Sequence, residues 1–143
     1  MFGMFKKKTQ KMANAAKVME NRDLMEALVG GCLLVAAADG EIDKDETDKL
    51  DALIRSNPNL KHFGGEITQT IQRFTEQLEA GFRVGRLNIL REIQDIAENR
   101  EDAETVFVNM LTVAEGDGEI CEKEMKVIEE VAGRLGLRTE DFM

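Results

Sequence analysis

Residues 37–46 read AADGEIDKDE, and residues 115–124 read EGDGEICEKE. Both place an Asp-Gly pair at the end of an apolar run and a Glu six residues beyond the glycine. That is the centre and tail of a calcium-binding EF-hand loop, in which glycine at position 6 makes the sharp turn and glutamate at position 12 supplies two oxygens. In this register Asp39 takes position 5, Gly40 position 6, Ile42 position 8 and Glu46 position 12. Positions 1 and 3 fall on Val35 and Ala37, which carry no side-chain oxygen and continue a helical apolar pattern. The second copy puts Glu115 at position 3, but Val113 at position 1 and Cys121, a soft sulfur poorly suited to calcium, at position 9. Neither loop encircles an ion alone.

Helix-capping chemistry accounts for most of the first motif. Gly40 suits the backbone conformation that ends one helix, and Asp43 with Glu46 has the spacing of a capping box that starts the next, with Ile42 as the staple residue before it. A shift of 78 residues lays Ala36, Asp39, Gly40, Glu41, Ile42 and Glu46 on identical Ala114, Asp117, Gly118, Glu119, Ile120 and Glu124. In that copy Cys121 stands where Asp43 caps, while Ile120 and Met125 keep the staple spacing. The motif is therefore a helix–turn–helix hairpin used twice.

Working outward, the apolar positions recur at three- and four-residue intervals, as amphipathic helices require. Leu24, Leu28, Cys32 and Val35 predict a first core helix over about 23–38, with Gly30 and Gly31 allowing close approach of a neighbour. A second is expected over about 44–55, presenting Leu50, Leu53 and Ile54 and ending before Pro58. After Gly64 and Gly65 a third carries Ile67, Ile71, Phe74 and Leu78, and a fourth carries Leu87, Leu90, Ile93 and Ala97. Asn99 offers an N-cap for a helix over about 102–114, and the last runs over about 122–135 to a stop at Gly136. The expected fold is all-α: one compact domain of about seven or eight helices, in which two pseudo-twofold hairpins flank a two-helix middle.

Charge and composition narrow the function. The net charge is −9, and residues 1–19 hold five lysines and no acid, so the remaining 124 residues carry −14. Such a body repels nucleic acid, whose phosphates need clustered Lys and Arg. Residues 1–19 form an arm distinct from the body at 20–143; Phe2 and Phe5 ahead of Lys6, Lys7 and Lys8 suit contact with an anionic membrane surface, a flexible terminus solvated by its lysines, or attraction to the acidic body. The longest uncharged apolar run spans 12 residues, too short to cross a bilayer, and a secretory signal pattern is lacking, so a cytoplasmic protein is expected. Cys32 and Cys121 belong to no CxxC pair, and His62 has no matched nucleophile, so a catalytic constellation is not expected.

The acids themselves pose the chemical question. Residues 39–48 contain six carboxylates against one lysine, and 115–124 contain five against one. If the two turns meet, a shared divalent cation relieves their repulsion, and an oxygen ligand set favours calcium or magnesium. Asp39, Asp43, Glu46, Glu115, Asp117 and Glu124 are the candidate ligands, with Gly40, Ile42, Gly118 and Ile120 shaping the turns. If the turns stay apart, each is a solvated acidic turn or a surface for a basic partner.

The paired AAADGEIDKDE and AEGDGEICEKE, with LKHF at 60–63 and GRLGLRTEDF at 133–142, resemble the tellurite-resistance TerB family over about residues 20–143. The resemblance implies a cytoplasmic helical domain with internal pseudo-symmetry and an acidic, metal-binding surface. It also implies a role in tellurite and stress resistance beside partners that include a TerC-type membrane protein. Carried over, Asp39, Glu46, Asp117 and Glu124 occupy the motif's acidic positions, and Gly40 and Gly118 its turn positions. Cys121 departs from the usual polar cap. A TerB-like module also serves as an interaction element in DnaJ-type co-chaperones, which implies the alternative of a metal-independent scaffold; the chain shows no J-domain signature.

Overall fold

A computed structural model describes residues 21–143 apart from Asp117. The basic arm with Phe2, Phe5, Lys6, Lys7 and Lys8 lies outside the described residues, as does Asp117. Among the described residues every regular element is helical. They comprise α1 (21–38), α2 (Lys44–Arg55), α3 (Gly65–Ala80), α4 (Phe82–Asp95), α5 (Arg100–Glu115) and α6 (Glu122–Leu135), with short 3-10 turns at Lys61–Phe63 and Thr139–Asp141. Six α-helices stand among the described residues, where seven or eight were expected of the whole chain.

The centre of the molecule is α1. Residues 27–35 are buried without a break, so over this stretch the helix has no solvent face and reads as apolar all round. Its two glycines make that burial geometric. A Cβ on Gly30 would lie 2.6 Å from Cγ2 of Ile89 in α4, and one on Gly31 would lie 2.9 Å from Sδ of Met110 in α5. The outer helices thus pack against bare α1 backbone from two sides.

Each remaining helix contributes one stripe to the same core. Leu50 and Ile54 of α2, Ile67, Ile71, Phe74 and Leu78 of α3, and Val106, Phe107 and Met110 of α5 are all buried. In α4 Leu90 and Ile93 face inward as expected, joined by Ile89 and by Ile96 just past the helix end, while Leu87 of the expected stripe is 43% exposed. The helix is rotated because Gly85 sits against the α3 backbone, a Cβ there meeting the carbonyl oxygen of Gln77 at 2.9 Å.

Helix ends follow the capping signals. Asp43 accepts the Glu46 N–H at 2.8 Å at the start of α2, and Asn99 accepts the Asp102 N–H at 3.2 Å at the start of α5. Gly136 ends α6 in the left-handed conformation at φ 70°. Arg22 bridges to Glu66 at 3.1 Å between α1 and α3, and Arg86 pairs with Glu130 between α4 and α6. No helix among the described residues is long and apolar enough to cross a membrane.

Candidate functional site

The two DGEI turns meet. The first joins α1 to α2 and the second joins α5 to α6, and both turn glycines hold a positive φ, 135° at Gly40 and 115° at Gly118. These values differ from the left-handed cap expected at Gly40, yet they too lie where L side chains are disfavoured. Ile42 and Ile120, two residues further on, pack against the core and pin each turn to the body.

Across the junction the Cys121 thiol donates to Oδ1 of Asp39 at 3.4 Å. Glu124 completes the group: one ligand atom each from Asp39, Cys121 and Glu124 lies within 4.8 Å of the others. Glu124 is only 8% exposed, and its carboxylate accepts the Cys121 N–H at 3.1 Å. That bond is the reciprocal half of a capping box, so Glu124 is positioned by the start of α6 whether or not a cation is present. The Glu124 backbone N–H pulls the Cys121 thiol pKa down, but burial and the carboxylates of Glu124 and Asp39 outweigh it and the net shift is upward. The thiol is therefore the protonated, donating member of the cluster.

Beside this cluster lies a cleft of about 260 Å³ between the hairpins. Leu33, Leu50, Leu53 and Val113 form apolar walls, with Cys32 at its depth. Asp39, Glu46 and Glu124 stand among its polar lining, together with Lys49. Cys32 is fully enclosed, and burial pushes its thiol up to about 12, which keeps it unreactive.

The expected ligands divide accordingly. Asp39 and Glu124 come together, and Glu46 shares the cleft with them. Asp43 is committed to capping α2, and Glu115 is exposed at the end of α5. Cys121 is the residue that sequence reasoning set aside. Its softness excludes it from a calcium loop read in one dimension, and only the folding of one turn onto the other shows that it faces Asp39. The signal was its cap position, since a cap side chain stands at the helix mouth, where a neighbouring turn can reach it.

A two-hairpin helical protein whose repeated acidic turns converge on one mixed carboxylate–thiol cluster defines the class. The sequence pattern of the family described as Tellurite resistance protein TerB matches residues 25–143, and the chain belongs to that family. No curated protein and no solved structure matches it. TerB is not a known enzyme family.

Proposed function

We infer that the chain is a non-enzymatic adaptor of the tellurite-resistance type, acting in the cytoplasm, whose joined turns bind a divalent cation and present the loaded surface to partner proteins. A TerC-type membrane protein is the proposed partner. The observation that carries the metal reading is the meeting of Asp39, from the first turn, with Cys121 and Glu124, from the second, within 4.8 Å.

The donor set bears on which cation. Calcium and magnesium take oxygen ligands and would draw on Asp39, Glu124 and the neighbouring Glu46, completed by water. Zinc accepts sulfur and carboxylate together. Donors about 2.0 and 2.3 Å from a tetrahedral zinc stand roughly 3.5 Å apart, and Cys121 Sγ and Asp39 Oδ1 are separated by 3.4 Å. That one separation suits zinc, and loading it displaces the thiol proton.

Calorimetric titration of calcium, magnesium and zinc into the wild type and into Asp39→Asn and Glu124→Gln variants tests this reading. It predicts heat and a raised melting temperature with at least one cation in the wild type, both diminished in each variant. No heat and no shift with any of the three rejects metal binding. A second reading, a metal-independent interaction scaffold like the TerB-like module of DnaJ-type co-chaperones, draws support from the apolar walls of the cleft, which no cation needs. Partner capture that persists in chelator favours it.

A further inference from the structure

The cleft between the hairpins has two properties a cation site does not explain: its walls are apolar, and its volume far exceeds that of an ion. We propose that it is the receptor for the chain's own N-terminal segment, residues 1–19, with an aromatic side chain of that segment seated among Leu33, Leu50, Leu53 and Val113. The lysines that follow the aromatic residue pair with the carboxylates at the mouth.

Size supports the occupant. An apolar cavity of about 150 Å³ accommodates benzene, so a cleft of about 260 Å³ has room for a phenyl ring. Sequence supplies the ring: Phe2 and Phe5 immediately precede Lys6, Lys7 and Lys8.

Charge supports the same pairing. The arm carries five lysines and no acid, and the rest of the chain carries −14. At the cleft Asp39, Glu46 and Glu124 outnumber Lys49, and Glu41, Asp43 and Asp45 extend the negative surface along the first turn. A basic segment reaching this end of the molecule lowers the repulsion among these carboxylates further.

Reach permits it within one molecule. The cleft mouth lies at the far end of α1, whose 18 residues from 21 to 38 span about 27 Å at 1.5 Å per residue. Sixteen Cα-to-Cα steps separate Phe5 from residue 21, enough for about 53 Å of extended chain. The arm therefore reaches the cleft with slack to follow the surface.

The chain has neither Trp nor Tyr, so a Phe5→Trp substitution in the full-length protein creates its sole strong fluorophore. In chelator and low salt the proposal predicts blue-shifted emission and weak quenching by acrylamide. Two variants in the Phe5→Trp background should return the emission to that of a solvated indole. Leu53→Lys puts a charge in the cleft wall, and Lys6→Glu with Lys7→Glu and Lys8→Glu reverses the arm's charge without touching the core. Solvated emission in the Phe5→Trp parent overturns the proposal. So does protection that survives in the charge-reversed arm, which would place the tryptophan elsewhere, for instance against the exposed Phe82 and Val84. Protection lost on dilution also overturns it, since the arm would then belong to a second copy.

Discussion

The helical glycines offer a graded test of how the core holds the two turns together. At Gly85 an alanine Cβ would stand 2.9 Å from three backbone atoms of Gln77 and Leu78 in α3. Carbon contacts settle near 3.5–4.0 Å, so α4 must withdraw from α3 by roughly 0.6 Å or more. Overpacking of this kind costs about 1–3 kcal/mol, and replacing a helical glycine by alanine returns about 1 kcal/mol. Because the atoms met are backbone and cannot swing aside, the cost falls at the upper end, and Gly85→Ala should lose about 2 kcal/mol net. Gly30→Ala belongs to the same class, because the atom it meets at 2.6 Å belongs to Ile89, fully buried and stiff at its branched Cβ. Gly31→Ala should differ. Its Cβ meets Sδ of Met110 at 2.9 Å, the end of a flexible side chain that can swing aside. The propensity gain then nearly offsets the clash, leaving it within about 0.5 kcal/mol of the wild type. Urea denaturation followed by circular dichroism measures all three; in thermal melts each kcal/mol corresponds to about 2–4 °C in a chain of this size. Equal stability of Gly85→Ala and the wild type, or Gly31→Ala as the weakest of the three, would falsify the packing argument.

Two further outcomes follow from charges. Cys121→Asp gives α6 a better cap but sets a third carboxylate beside Asp39 and Glu124, so the variant should melt lower than the wild type in chelator at low salt and recover most of the loss when magnesium or calcium is added; an unchanged melting temperature in both conditions contradicts this. Burial raises the Glu92 carboxyl to about 7, with help from the charges of Glu26, Asp95 and Asp23, while Arg73 stands 3.7 Å from Glu26. Because the folded pKa lies above the unfolded one, the contribution of Glu92 is fully present below about pH 4.5 and is lost as pH rises through about 7. Glu92→Gln should gain on the order of 1 kcal/mol over the wild type near pH 8, a figure reduced for the solvent around this half-exposed group, and nothing near pH 4. A stability difference independent of pH in urea melts would sink that assignment.

Sequence and structure part company at instructive places. Helix ends written in local chemistry were legible: Lys44–Arg55 and Glu122–Leu135 start and stop where Asp43, Cys121 and Gly136 place them. The repeat was legible too, since the Asp-Gly turn and its trailing Glu are short-range features. The rotation of α4 was not, because Leu87 and Ile89 are equally apolar and only contact of Gly85 with the α3 backbone decides which faces inward. The candidate site was half legible. Asp39 and Glu124 stood out by their place in the motif, but Cys121 became a potential ligand only through a contact spanning 82 residues. A one-dimensional register counts ligands within a loop and has no means of counting those that arrive from another hairpin.

The central claim, that the two turns act as one site, is tested most directly with cobalt(II) as a spectroscopic substitute for zinc. The account predicts a thiolate-to-cobalt charge-transfer band in the wild type, its loss in Cys121→Ser, and marked weakening in Asp39→Asn, a residue on the other turn. A cobalt spectrum unchanged by both Cys121→Ser and Asp39→Asn would contradict it.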